Sequence, residues 1–328
     1  VLAGKKVSVQ AGLGATTENV FGTCSPKDFE TMMQLTYLTF TAPRKDMEAF
    51  ESYKSRTKAQ LESAQANPLS SIGDSLQRAM YGNHPRLVLL KPEMIDQINY
   101  DRILEMYNDR FKDASDFTFY FVGNIDLETA KPLIAEYLGA LPAINRKETF
   151  KDTKMEIRKG VYKNEFAKEQ QTPTATIVFL YSGKAPYTLK NNILLSCMTQ
   201  VLDMVYTEEV REKEGGTYGV NCIGNFQTDP EKKDKLAGIV VDELKKLAAE
   251  GPSEVHLQKV KEYLLKKYAD NQKENAYWLN NLNDYFFYGM DMTKDYTDLV
   301  NGITAKELQK FAADLLKQGN EIEVTMNK

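Results

Sequence analysis

The sequence predicts an α+β protein made of two tandem repeats, each an antiparallel sheet with several helices packed on one face, the first repeat truncated at its N-terminus. Three observations carry this reading. The first is an internal repeat. "INYDRILEMYNDRFKDASDFTFYFV" from Ile98 lies over "ITAKELQKFAADLLKQGNEIEVTM" from Ile303 at a constant offset of 205, so that Ile103, Met106, Phe111, Phe117, Phe119 and Phe121 fall on Leu308, Phe311, Leu316, Ile322, Val324 and Met326. The second is a change of period inside each copy: apolar residues are spaced first as on one face of a helix, then alternate as in a half-buried strand. The third is a shared upstream landmark. "GTCSPKDFETMMQL" and "NFQTDPEKKDKLAG" each put a capping residue, Ser25 or Asp229, before a proline at the first helical position, Pro26 or Pro230, at an offset of 204.

The elements follow in order. Two strands, near 5–11 and 18–23, flank "AGLGATT", which has only two of the glycines of a phosphate-cradling loop and is followed by a strand rather than a helix, so it reads as a hairpin. After the Pro26 helix come a long charged helix over 45–66, a helix closing on Tyr81-Gly82, and the helix and strand of the first repeat copy. "GALPAINRKETFKD", with Gly139, Pro142 and a run of charges, marks a linker over 141–152, which divides the chain into repeats at 1–143 and 144–328. In the second half the patterns predict strands over 155–162 and 174–181, a helix over 189–212, a strand over 217–223, a charged helix over 253–271 and a helix closing on Tyr288-Gly289. Within that last helix, "NAYWLNNLNDYFFYG" places Trp278, Leu282, Tyr285 and Phe286 on one face, which is expected to be core. Only two strands precede Pro26, whereas more precede Pro230. A sheet without its leading strands would expose edges and an apolar face, so the chain is expected to begin inside its first repeat.

Composition narrows the function. A chain of 328 residues exceeds one ordinary core. A net charge of -4 gives no electrostatic reason to bind nucleic acid or an anionic membrane. No apolar run approaches the roughly 18 residues that span a bilayer, and the first ten residues lack a signal-peptide shape. Cys24, Cys197 and Cys222 are an odd set without paired spacing, so no disulfide framework or zinc knuckle follows.

Serine or cysteine nucleophile machinery needs a base, and the only histidines are His84 and His256. A zinc peptidase helix needs two histidines one turn apart, whereas these lie 172 positions apart, so no metal ligands are read in this chain. His84, in the turn "YGNHPRL", is expected to have a local hydrogen-bonding role; His256, one turn into a helix, is expected to be a partly buried or surface residue.

That leaves "REKEGGTYGV", Arg211 to Val220. One reading is structural: 209–214 ends a helix, Gly215 supplies a left-handed cap, Gly216 extends the turn, a strand starts at Thr217, and Arg211 is a last-turn cation. The other is functional: the glycines bring Tyr218 beside Arg211, and a phenolic donor and a guanidinium fork face one carbonyl or developing oxyanion. The residues by themselves leave both open.

A resemblance adds to this. Through "SPKDFETMMQLTYLTFTAPRKD", "FTFYFVGNIDLETAKPLIAEYLGALP", "KEQQTPTATIVFLYSGKAPYTLKNN", "REKEGGTYGV" and "TDPEKKDKLAG", nearly the whole chain resembles the inverted-zincin metallopeptidases related to pitrilysin and insulysin, especially bacterial members. The resemblance implies a metallopeptidase fold of the LuxS/MPP-like type, in which four similar α+β domains form two halves closing around a peptide. The first half carries the zinc motif HxxEH and a further glutamate. The second lacks it and supplies an arginine and a tyrosine seven residues apart, matched here by Arg211 and Tyr218.

It follows from the resemblance that this chain is the zinc-free, substrate-holding half, beginning inside the third domain and inactive alone. It would have no catalytic residues of its own, bind no cofactor, and leave the zinc to an N-terminal catalytic half, on the same polypeptide or a separate chain. Its partners would be that half and a peptide, with no nucleic acid and no membrane insertion, in a periplasmic setting. The rival reading is a non-catalytic assembly subunit of the same fold, as in membrane-bound complexes; the Arg211 and Tyr218 pair argues against it, since a scaffold needs neither.

One departure stands out. In the first repeat 19 positions separate Val7 from Pro26, but only 10 separate Val220 from Pro230. Either an arm of the hairpin after Tyr218 is deleted, or residues there are missing from the sequence as written. The second is favoured, because removing a central strand would disrupt the sheet.

Overall fold

The computed structural model describes residues 2–215, 217 and 226–327, which form two compact units: Val1–Leu61 with Leu90–Thr153, and Glu62–Leu89 with Lys154–Lys328.

The first unit opens on an antiparallel hairpin, β1 (Val7–Leu13) and β2 (Glu18–Cys24), in register from Val7 opposite Cys24 to Leu13 opposite Glu18. Its tip closes where the Gly14 N–H donates to the Thr17 carbonyl at 2.8 Å, so "AGLGATT" is the hairpin its sequence suggests. A short 3-10 turn, Pro26–Asp28, leads into α1 (Phe29–Thr41). Neither Ser25 nor Asp229 caps its turn with a side chain, contrary to the sequence reading. Instead the Ser25 hydroxyl donates to the buried Asp28 carboxylate at 2.6 Å, which also accepts the Lys6 N–H at 2.9 Å and so ties the start of α1 to β1. These bonds, Ser25 first, lower the Asp28 pKa.

Four further helices follow: α2 (Met47–Ala66), α3 (Pro68–Tyr81), α4 (Pro92–Ile95) and α5 (Tyr100–Phe111). After them comes α6 (Leu127–Tyr137). Phe40 of α1 meets Phe111 of α5 and Phe117 edge-on, with ring centroids 5.6 and 5.0 Å apart, an arrangement that suits the ring quadrupoles. The strand predicted over 117–121 is not formed. Its phenylalanines are partly buried in this aromatic cluster, but a strand needs a ladder partner, and the described residues supply none.

The buried Asp113 fixes the chain beyond α6. Its carboxylate accepts the Ser115 hydroxyl and N–H and the N–H groups of Ile144 and Arg146, at 2.6–3.0 Å. The predicted linker is thereby stitched to the first unit at its start.

The second unit is built on a four-stranded sheet in the order β3 (Val161–Ala167), β6 (Glu321–Asn327), β4 (Ala175–Tyr181), β5 (Phe226–Thr228). The sheet is mixed rather than wholly antiparallel. β6 runs antiparallel to β4 but parallel to β3, from Val161 opposite Glu321 to Ala167 opposite Asn327. Such a pairing is available because the two strands are separated by nearly the whole second half, far more than a parallel crossover requires. β3 also begins later than predicted: Gly160 sits in the left-handed region at φ 83°, which interrupts the alternating run and starts the strand at Val161.

Helices α7 (Leu189–Tyr206), α8 (Lys233–Glu250), α9 (Glu254–Asn271), α11 (Tyr296–Gly302) and α12 (Ala305–Lys317) share one core with Ala175 and Ile177 of β4. The opposite face is covered too. Ile72 and Ala79 of α3, with Leu76 and Met80 partly buried beside them, pack with Val178, Ile322, Val324 and Met326; burying a side chain such as that of Ile72 contributes about 1.5–3 kcal/mol relative to exposure. Polar bonds seat α3 along β3: Asn164 donates to the Ser75 hydroxyl at 2.7 Å, and the Arg158 side chain to the Ala79 carbonyl at 2.9 Å.

One core expectation is overturned. Helix α10 (Asn275–Tyr288) buries no residue; Trp278 is 40% exposed, Tyr285 54% and Phe286 55%. Helical spacing identifies an apolar face but not whether anything covers it.

Candidate functional site

The predicted site is reached through α7. Thr188 caps it by accepting the Asn191 N–H at 3.2 Å, and Ile193, Cys197, Val201 and Leu202 bury its inner face. At its end the helix widens into a π turn, Thr207–Glu212, in which the Lys213 N–H reaches back five residues to the Glu208 carbonyl at 3.2 Å. The turn is anchored on both sides. Tyr206, just before it, donates its phenol to the Val240 carbonyl of α8 at 3.2 Å, and Val210 within it is fully buried.

Arg211 comes next and is exposed. Around it the charges pair off: Lys213 with Glu209 at 2.6 Å, Lys235 of α8 with Glu214 at 2.5 Å, and His256 of α9 with Glu208 at 3.2 Å. The Glu209 carboxylate, through its hydrogen bond, raises the Lys213 pKa. Among the described residues none of these pairs takes up the Arg211 guanidinium. Gly215 donates its N–H to the Arg211 carbonyl at 3.1 Å with φ 58°, the left-handed cap the sequence predicts.

Tyr218 lies outside the described residues, as do most of the predicted strand over 217–223 and the shortened hairpin after it. The structure therefore places Arg211 but not its companion. Beyond that segment β5 resumes, with Phe226 buried and opposite Ile177 of β4.

Among the described residues no group of three or more His, Cys, Asp or Glu side chains could hold a metal ion. The two histidines are occupied elsewhere. Nδ1 of His84 accepts the Arg86 N–H at 3.2 Å, the local role its turn suggests, and Nε2 of His256 faces a single carboxylate. Burial pushes the Cys197 thiol up to about 11, so it is a protonated core residue rather than a nucleophile. Sequence reasoning missed the Glu208–His256 pair. The partners are 48 positions apart and on different helices, and no local pattern marks them.

No helix among the described residues is long and apolar enough to cross a membrane.

Comparison with known proteins is consistent with this geometry. Residues 97–264, just over half of the chain, match the family model described as the Peptidase M16 inactive domain. A protein of Arabidopsis thaliana described as zinc protease PQQL-like is 25% identical over 291 residues, covering 78% of this chain and 30% of that protein. The crystal structure of the periplasmic protease PqqL from Escherichia coli superposes with a TM-score of 0.81 at 18% identity, over 99% of this chain and 38% of that one. A peptidase M16 inactive domain from Pseudomonas fluorescens superposes with a TM-score of 0.75 at 20% identity, over 98% of this chain and 81% of that one. The chain thus spans 30% and 38% of the first two proteins' lengths, and the fold is that of these structures.

Proposed function

The chain belongs to the family of Peptidase M16 inactive domains, and from that premise we propose that it is the substrate-holding half of a zinc-dependent endopeptidase whose metal site lies in a separate catalytic half. The observation that carries this reading is Arg211: an exposed guanidinium on a π turn whose neighbours are anchored to α8 and α9, seven residues ahead of Tyr218 across Gly215 and Gly216.

When bound in the other half, zinc would supply the activated water and polarise the scissile carbonyl. What this chain adds is donors. Arg211 would fork onto the peptide backbone with charge-assisted bonds, and Tyr218 would offer its hydroxyl to the same region as negative charge develops on the carbonyl oxygen. The chain would then be inactive by itself, and a periplasmic setting would fit the similarity to PqqL.

The test is made in the two-half protein. Arg211→Ala and Tyr218→Phe are each expected to lower kcat/KM for an unstructured peptide by about 10- to 100-fold, with zinc content unchanged. Unaltered turnover in both would remove the role. Mixing this chain with a separately made zinc half separates the proposal from an assembly role. Restored cleavage supports substrate holding; a stable but inert complex supports assembly.

A further inference from the structure

We infer that His256 is a positioning residue for Arg211, acting through Glu208; the inference rests on the proposed role of Arg211. The argument begins with the geometry of the turn. A π turn carries one more residue than the α-helix it interrupts, and its wider ring makes poorer backbone bonds, so it persists where side chains hold it. An α-helix turns about 100° per residue, so relaxing this turn to α geometry would rotate everything after it by about that angle. Val210 is fully buried and Arg211 is exposed. A rotation of that size would exchange their environments and swing the guanidinium away from the direction it now faces.

Three contacts tie the turn to the rest of the unit. Val210 fills the core, and Tyr206 bonds the Val240 carbonyl just before the turn. The Lys213–Glu209 pair is local to one stretch of chain and moves with it. Glu208–His256 joins a side chain inside the turn to a different helix, with Nε2 of the ring 3.2 Å from the carboxylate. A carboxylate only accepts, so Nε2 carries the proton and donates. The donor is itself well seated: the His256 side chain is only 16% exposed, and the Ser253 hydroxyl caps the start of α9 by accepting the His256 N–H at 3.1 Å. His256 is therefore fixed by α9, and Glu208 is fixed by His256. Arg211, three positions on, inherits that constraint.

The experiment uses the two-half protein and a fluorescence-quenched unstructured peptide as probe. His256→Leu, which removes the donor, is expected to lower kcat/KM by about fivefold, the scale of a partly exposed charge-assisted pair, with zinc content and melting temperature unchanged. His256→Gln, which can still donate to Glu208, is expected to restore it to within about twofold. In an Arg211→Ala background His256→Leu should cause no further loss, because residues acting through one group are not additive. Hydrogen exchange gives a readout independent of activity: the Lys213 amide should exchange faster in His256→Leu and at the native rate in His256→Gln.

Equal kcat/KM in wild type and His256→Leu, or a full additional loss in the Arg211→Ala background, overturns the positioning role while leaving that of Arg211 standing. If Arg211→Ala itself has no effect, the proposed function fails, and this inference with it.

Discussion

The phenol of Tyr206, the last residue of α7, donates to the carbonyl of Val240 in the middle of α8 at 3.2 Å, and the ring that makes this bond is 4% exposed. It is the last fixed point before the π turn. Tyr206→Phe keeps the ring and removes one buried hydrogen bond, and is expected to cost about 1 kcal/mol in urea unfolding at an unchanged m-value. A cost near zero would show that the bond contributes nothing to the anchoring of the turn.

Asp113 makes the first unit sensitive to acid. Its carboxylate is held well below the usual range, first by the Ser115 hydroxyl and then by the N–H groups of Arg146, Ser115 and Ile144. A group whose pKa is lower in the folded state contributes stability above its unfolded value, about 3.9 for aspartate, and that contribution disappears as the pH falls through the folded value. Wild-type urea midpoints should therefore drop steeply below about pH 4, whereas Asp113→Asn should start lower at neutral pH and show a shallower decline. Parallel curves for the two proteins would refute the assignment.

Gly139 is closed to a side chain. A Cβ added there would lie 2.3 Å from the Ala135 carbonyl oxygen, a backbone atom that cannot swing aside. Gly139→Ala is expected to cost about 1–3 kcal/mol, measured by thermal melting, where a neutral outcome would mean that the end of α6 is free to shift.

Helix α3 should behave as part of the second unit. Ile72, 3% exposed, packs with Val324 and Met326 of β6, so Ile72→Ala is expected to cost about 2–5 kcal/mol. Hydrogen exchange should register the loss in β4 and β6, and protection that fell only within 1–61 and 90–153 would contradict the packing described here.

The aromatic face of α10 is expected to tolerate polarity. With Phe286 55% exposed, Phe286→Ser should move the unfolding free energy by less than about 0.5 kcal/mol. A larger loss would mean that the ring is buried after all.

Much of this architecture can be read from the sequence because local signals govern it. The proline starts at Pro26 and Pro230 lead into 3-10 turns and then α1 and α8, and Tyr81-Gly82 and Tyr288-Gly289 close α3 and α10. Gly215 takes the left-handed conformation its place after a charged helix end suggests. What the sequence does not reveal is the identity of distant partners. Phe117 and Phe119 alternate like strand residues, yet pack as rings beside Phe40 without a ladder. Trp278 and Tyr285 keep helical spacing and remain on the surface. The parallel partner of β3 lies 160 positions away, which no local periodicity can specify. At the candidate site, Arg211 and its glycine cap were legible, whereas the π geometry and the reach of His256 depend on how α7 and α9 pack.

The seat of α3 on the β3–β6 face also bears on how this polypeptide can be cut and recombined. A polypeptide starting at the inter-repeat linker would leave behind the lid of its own sheet, baring Val178, Ile322, Val324 and Met326 to water. The second unit takes residues 62–89 from the first half of the sequence, so a gene fragment encoding residues 154–328 alone should yield a sticky, poorly behaved product unless residues 62–89 are co-expressed beside it.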